Sequence, residues 1–266
     1  MVLAGDTSVV PVRHLYCEAG GDVGSIPSDI YYQCLDGDFD GNGNGIYGET
    51  DDGPDGGMPD LYAEVKIGRV SAQTAEEFRN WFSKMLKYDE DVVARKPYTR
   101  GSLFAAEYAG PYEWCISAPL MEQIRQGTSY RGLNDGYEAY GFMDVPELFD
   151  EESMQTLYDK DSDEAWDAKS VVAALNTGAG VSVINHMGHS SPSSNMRLSL
   201  SDVDGLVNEN PFFVYSQGCD AGAFDKDCIA EHFTTSTKFG AFAGVWNSRY
   251  GWYSFNETQG ENVFEG

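Results

Sequence analysis

Two loops of this chain carry residue types that can do nucleophilic chemistry. The first, HMGHSSPSS at 186–194, follows the apolar run VSVIN at 181–185 and holds His186 and His189. The second, QGCDAGAF at 217–224, follows FFVYS at 212–216 and holds Cys219. A thiol near its reference pKa of about 8.5 is mostly protonated at neutral pH, and a neighbouring imidazole both accepts its proton and stabilises the thiolate. Gly218, Ala221 and Gly222 keep the surroundings of the sulfur small, so a carbonyl could approach and backbone N–H groups could point at a developing oxyanion. Two other readings stay open on these residues alone. Cys219 could be an inert buried thiol, with both histidines on a polar loop. Zinc could also use His186, His189, Cys219 and Cys228, although H-x-x-H and C-x8-C match no common zinc module.

Between the histidines, His189 is the expected base. His186 lies just at the strand end, where its side chain can pack against the sheet, whereas the freedom of Gly188 permits a turn that swings His189 toward the thiol. Loss of a general base costs a factor of about 10² to 10⁴. Loss of His186 is expected to be tolerated within about tenfold, or about 1.4 kcal/mol in the barrier.

The two loops can meet only if their strands are neighbours that run the same way. Asp167 can cap a helix carrying Val171, Val172 and Leu175 that stops at Gly178; VSVIN and FFVYS then read as strands, 227–236 as a helix and 239–246 as a third strand. That alternation predicts an α/β fold with a mainly parallel central sheet and helices on both faces, and the loops after parallel strands gather on one edge. Nearer the N-terminus, 2–4, 9–12, 30–35 and 62–69 are strand-like. Thr74 and Glu77 form a capping box before a helix from about 74 to 90, whose Phe78, Trp81, Phe82, Met85 and Leu86 are expected to face the core. Between 92 and 165 the pattern is weaker: 102–106 and 139–145 read as strands and 118–125 as a helix.

The segment 36–55 is a Gly/Asp/Asn tract too polar to fold by burial alone. Counted from Asp38, oxygen donors fall at positions 1, 3, 5, 7 and 12 (Asp38, Asp40, Asn42, Asn44 and Glu49), with Gly43 at 6, the order of a calcium loop. Ile46 lies at position 9 instead of 8 and no helices flank the loop, so the site would be irregular. Asp36, Asp51 or Asp52 could replace a ligand. A structural Ca²⁺ would neutralise these carboxylates and let the segment order itself; a plain acidic loop is the alternative.

The chain has 266 residues with 41% hydrophobic and 13% aromatic content, enough for a folded core. Its 43 acidic against 17 basic residues give a formal net charge of −26, which repels phosphate backbones and anionic lipid surfaces over a Debye length of about 8 Å. Nucleic acid is therefore not an expected partner. Membrane insertion is not expected either, because no run of about 18 apolar residues exists. Met1 to Leu3 passes straight into AGDTSVVPVR with no secretory leader, and the sequence is expected to be a segment of a longer protein. Five cysteines leave at least one thiol free; Cys17 and Cys34 could bridge if the protein is exported, and the partner of Cys115 is open.

Six motifs in order resemble the gingipain-like cysteine peptidases of the caspase-type clan. They are VLAGDTSVVPVR at 2–13, IGRVSAQTAEEF at 67–78, the Gly-His step at 188–189, CDAGAF at 219–224, DCIAEHF at 227–233 and GVWNSRYGW at 244–252. The resemblance spans almost the whole chain and implies a caspase-like peptidase domain over 1–266, secreted or at the cell surface. It further implies hydrolysis of a protein or peptide substrate through a thioester, with no organic cofactor. Carried over by position, it makes Cys219 the nucleophile, His189 the base, and the backbone N–H groups of Cys219 and Ser190 the oxyanion hole. Glu107, in FAAEYAGP, resembles the acid that orients the histidine, and Trp252 the aromatic wall of the specificity pocket. The family usually has Gly where Ser190 stands, and Ser disfavours φ > 0. The acid that selects basic side chains would fall near Ala118, so Arg or Lys specificity is not implied. Two rival functions share these residues: an inactive adhesive or binding module, and a sortase-like transpeptidase.

Overall fold

The computed structural model describes residues 1–19, 22–108, 117–128, 139–161, 164–177, 180–256 and 261–265, the last two strands by backbone alone. The chain opens with β1 (Val2–Ala4), a hairpin of β2 (Arg13–Ala19) and β3 (Asp22–Ser28), one helical turn, α1 (Ile30–Gln33), and β4 (Gly68–Val70), parallel to β1. Then come α2 (Ala75–Val93), β5 (Ser102–Ala106), α3 (Ser117–Gln126), β6 (Met154–Tyr158), α4 (Ala168–Asn176) and β7 (Val183–Met187). The two-residue strands β8 (Ser190–Ser191), β9 (Ser194–Asn195) and β10 (Leu198–Ser199) lead into α5 (Leu200–Asp204) and β11 (Phe212–Ser216). After α6 (Ile229–Glu231), continued by a π-helical turn at His232–Ser236, β12 (Ala241–Trp246) precedes β13 (Trp252–Asn256) and β14 (Glu261–Glu265).

The central sheet has the order β12-β11-β7-β5-β6, and every pair in it is parallel. Side chains alternate across it with period two. Leu103, Ala105, Ile184, Phe212, Val214 and Ala241 pack on one face against Val171 and Leu175 of α4, Val203 of α5 and Ile229 of α6. Phe104, Ala106 and Met187 pack on the other face with Met121 of α3, and Tyr88 of α2 stacks on Phe242 beyond them, 4.1 Å between centroids. The α/β class and helices on both faces are thus as expected. Both faces are covered, which is why these strands read as near-continuous apolar runs.

The strands at 102–106, 181–185, 212–216 and 239–246 appear at or near their predicted places, and the caps of α2 and α4 form as read. Thr74 accepts from the Glu77 N–H while Glu77 accepts from that of Thr74, and Asp167 accepts from the Ser170 N–H. Other expectations fail. Residues 30–33 make a helical turn, 142–144 a 3₁₀ turn, and the strand read at 62–69 is confined to 68–70. The β2–β3 hairpin and β6 were not predicted.

The aromatic stripe of α2 is not core. Phe78 and Trp81 are half-buried, while Phe82 and Leu86 are exposed. Lys84 and Asp91 are the residues that α2 buries. Lys84 donates to the carbonyls of Phe233, Thr237 and Phe239 at 3.1, 3.1 and 2.7 Å, so it caps the π-helical turn, a role hydrophobic periodicity cannot reveal. The proposed Cys17–Cys34 bridge is absent: both thiols are free, Cys17 opposite Gly24 in the hairpin and Cys34 buried with its Sγ 3.9 Å from Asp36. Cys115 lies outside the described residues.

Candidate active site

In the β7–β11 register His186 stands opposite Ser216. His189 and Cys219 each lie three residues further on, so the two loops leave the sheet edge side by side. Gly218 lies against Gly188 and Ser190: a Cβ at 218 would stand 2.5 Å from the Ser190 Cβ and 3.1 Å from the Gly188 carbonyl oxygen. Only a residue without a side chain lets the loops approach this closely.

Glu107 follows β5 and continues its pairing, its N–H donating to the Met187 carbonyl at 2.9 Å. Its carboxylate is almost fully buried. One oxygen faces Nε2 of His186 at 3.3 Å; the other accepts the backbone N–H of His189 at 3.2 Å. Arg197 Nε lies 4.0 Å away. Burial pushes this carboxyl up, but the hydrogen bonds from His186 and His189 and the nearby Arg197 charge bring it below its ordinary value. Gly188 is required here by space and not by φ > 0. A Cβ at 188 would lie 2.5 Å from Cγ of Glu107, and Gly188 is not among the glycines with positive φ.

Arg197 is held in turn by Asp159, which it engages through Nη1 and Nη2, and its guanidinium lies 4.2 Å over the Trp166 ring. Met196 and Arg197 form the two-residue turn between β9 and β10, with φ of 52° and 60°. Such hairpin turns ordinarily carry Asn-Gly. Left-handed backbone at residues other than glycine costs about 1–3 kcal/mol. Met196 is offset by complete burial, and Arg197 by its ion pairs.

The Cys219 sulfur is partly buried beneath the loop after β12. Gly251 donates its N–H to Sγ at 3.3 Å, and its carbonyl oxygen lies 3.6 Å from the sulfur. Asp220, with φ of 56°, donates its N–H to the Arg249 carbonyl at 2.7 Å, and Gly222 donates to that of Asn247 at 3.0 Å. Asp225 anchors this covering loop by a two-pronged pairing with Arg249 at 3.0 and 2.9 Å, with His14 Nε2 3.3 Å away. Among the described residues the exposed His189 ring makes no hydrogen bond. Cys228 is wholly buried and its thiol is pushed up to about 12 by burial, which makes it inert.

The profile described as peptidase family C25 matches residues 1–266. The chain belongs to peptidase family C25. It is 25% identical over 265 residues to a Lys-gingipain of Porphyromonas gingivalis, covering 95% of this chain and 12% of that protein. A second Lys-gingipain of the same organism is 23% identical over the same length. The crystal structure of the Arg-specific cysteine proteinase gingipain R superposes with a TM-score of 0.58 at 19% identity, covering 94% of this chain and 49% of the other. Another solved structure, titled as a protease, gives 0.60 at 21% identity and covers 45% of its chain. These likenesses establish the caspase-like fold. The C25 chain spans about an eighth of its curated relatives and about half of the solved ones.

Of the residues singled out from the sequence, Cys219, His189, Ser190 and Glu107 come together at one sheet edge in this C25 chain. Glu107 reaches His189 through the backbone N–H; its other oxygen goes to the ring of His186. Ser190 has no positive φ, so serine there carries no backbone strain, and its Oγ accepts from Asn195 Nδ2 at 2.7 Å. The backbone of Trp252 opens β13 directly after Gly251; its side chain lies outside the described residues. Sequence reading missed Ser216, Asn195, Arg197 and Asp159, which no motif marks, and gave no role to Gly251 although it lies within GVWNSRYGW.

In the acidic loop, Asp38, Asp40, Asn42 and Asn44 accept the backbone N–H groups of Asp40, Gly45, Asn44 and Ile46. The side chains of Asn42 and Asn44 also reach Asp51 and Glu49, at 3.4 and 2.5 Å. Carboxylate oxygens of Glu49, Asp51 and Asp52 lie within 4.8 Å of one another. Asp52 is fully buried, and among the described residues its Oδ1 has no hydrogen-bond partner.

The Arg249 guanidinium holds Asp225 down at about 2, against 3.8 in the unfolded chain. A depressed carboxyl contributes stability above its unfolded value and loses it as pH falls through its folded one. The urea midpoint of the wild type is therefore expected to fall between pH 3.8 and about 2 more steeply than that of Asp225→Asn. Equal slopes for the two proteins would show that this ion pair does not hold the loop.

Proposed function

We propose that the chain is a cysteine endopeptidase with Cys219 as nucleophile and His189 as general base. The observation that carries this reading is the matched offset of the two residues beyond the His186–Ser216 pair, with the loops in contact at Gly218. Family membership supports a cysteine peptidase acting on protein or peptide substrates, and likewise a secreted or cell-surface location.

In this reading the His189 imidazole takes the thiol proton and the sulfur attacks the carbonyl carbon of the scissile peptide bond. The backbone N–H groups of Cys219 and Ser190 receive the oxyanion; removing one such donor costs a factor of about 10² to 10³. Collapse of the tetrahedral species breaks the C–N bond, and the departing amine takes the proton from His189. Water, deprotonated by the same imidazole, then hydrolyses the thioester and returns the proton to sulfur. Glu107 contributes by fixing the backbone of His189, and Trp252 is the proposed wall of the specificity pocket.

A structural calcium ion belongs to the same proposal. The fit rests on Asp52 Oδ1, a buried carboxylate oxygen without a partner among the described residues, beside Glu49 and Asp51. Uncompensated carboxylates at this spacing repel, and hard oxygen donors suit Ca²⁺. The side-chain oxygens of Asn42 and Asn44, like those of Asp38 and Asp40, accept backbone N–H groups and fasten the turns around this carboxylate group. The ion would supply charge neutralisation only.

Two measurements test these assignments. Cys219→Ala and His189→Ala should each remove peptide hydrolysis while keeping the wild-type circular dichroism, and Cys228→Ala should keep activity with lowered stability. Undiminished cleavage by Cys219→Ala would end the peptidase assignment. For calcium, a ligand that binds only the folded state stabilises it by RT ln(1 + [L]/Kd), about 2.7 kcal/mol at 100 Kd. Millimolar Ca²⁺ should raise Tm in the wild type and much less in Asp52→Asn or Glu49→Ala. A melting curve indifferent to chelator at low ionic strength would exclude the site.

A further inference from the structure

His186 is fully buried three residues before the proposed base, and both of its ring nitrogens are engaged. A carboxylate only accepts hydrogen bonds, so Nε2, facing Glu107 at 3.3 Å, must carry a proton. Ser216 Oγ, 2.8 Å from Nδ1, already faces two donors, the Gly218 N–H at 3.3 Å and Asn195 Nδ2 at 2.8 Å, so its own hydroxyl proton is directed to Nδ1. The bonds make one directed chain: Gly218 N–H to Ser216, Ser216 to His186, His186 to Glu107, and Glu107 receiving the His189 N–H. Its ends are the residue before the nucleophile and the base itself. Asn195 adds a branch, because the same Nδ2 also donates to Ser190 Oγ at 2.7 Å.

We propose that His186 is a positioning residue that ties the loop of Cys219 to the loop of His189 through Ser216 and Glu107. The inference rests on the peptidase reading above and goes beyond it, since it gives a role to the histidine that the sequence left as strand-end packing. The sequence expectation that His186 is replaceable within about tenfold is thereby withdrawn. A displacement of about 1 Å in a reacting group can cost a factor of 10².

The test compares the wild-type protein with His186→Phe, which fills similar volume with no polar atom. The readouts are steady-state kinetics on a peptide substrate and amide hydrogen exchange at Gly218 and His189. In His186→Phe, kcat should fall about 10²-fold with KM within about threefold, and exchange should quicken at both amides. His186→Gln keeps a donor toward Glu107 and should restore protection at His189 alone. His186→Asn keeps an acceptor for Ser216 and should restore it at Gly218 alone. If His186→Phe does not fold, Ser216→Ala removes one hydroxyl and should quicken Gly218 while lowering kcat. Wild-type kcat within about threefold, or wild-type exchange at either amide in folded His186→Phe, would overturn the proposal. A wild type that cleaves nothing would overturn the peptidase reading instead, and the exchange data would still decide whether His186 couples the loops.

Discussion

Parallel pairing of β7 with β11 in a single register governs the whole sheet edge. Because His186 stands opposite Ser216, the next residues of both strands depart together, and Gly188, His189 and Ser190 lie beside Gly218 and Cys219. A slip of one residue would carry Ile184 and Val214, with His186 and Ser216, to the opposite covered face, where the packing partners are different. The register is held by burial on both faces. The cost of losing that packing therefore protects a geometry in which the core residues take no part.

At the edge itself the organising group is a buried negative charge. A carboxylate taken out of water costs several kcal/mol unless paired and hydrogen-bonded. Glu107 is stabilised by the ring of His186, the N–H of His189 and the charge of Arg197. Each partner lies on a different piece of the loop system. Satisfying one side chain thus fixes the strand end of β7, the turn at Gly188 and the β9–β10 hairpin together. The left-handed pair Met196 and Arg197 is understandable in this setting, because it delivers Arg197 to both Glu107 and Asp159.

Much of this was legible in the sequence, for identifiable reasons. Central parallel strands are buried on both faces, so FFVYS and the VSVIN region announce themselves as apolar runs, and Thr74 and Asp167 use capping chemistry that depends on neighbours in sequence. Cys219 and His189 could be placed because each follows such a strand by a short count. Partners distant in sequence were harder: Ser216, 30 residues from His186, was not marked at all, and Glu107, 79 residues away, was named through the family resemblance alone and as a partner of His189, not of the His186 ring. The stripe on α2 misled because Phe78, Trp81 and Phe82 pack largely on one another while Lys84 turns inward to cap carbonyls. The sequence suggests Gly188 for its freedom in φ at a sharp turn, whereas its lack of a side chain is what makes room for Glu107.

The central claim is that the His189 imidazole acts on the Cys219 thiol across the touching loops. Alkylation of Cys219 by iodoacetamide reports this directly without a substrate, if the modified peptide is identified by mass spectrometry apart from Cys17. At neutral pH the wild-type cysteine should react at least about tenfold faster than the same residue in His189→Ala, and the two rates should converge in alkali, where any thiol ionises unaided. Equal rates at neutral pH in two folded proteins would contradict the account.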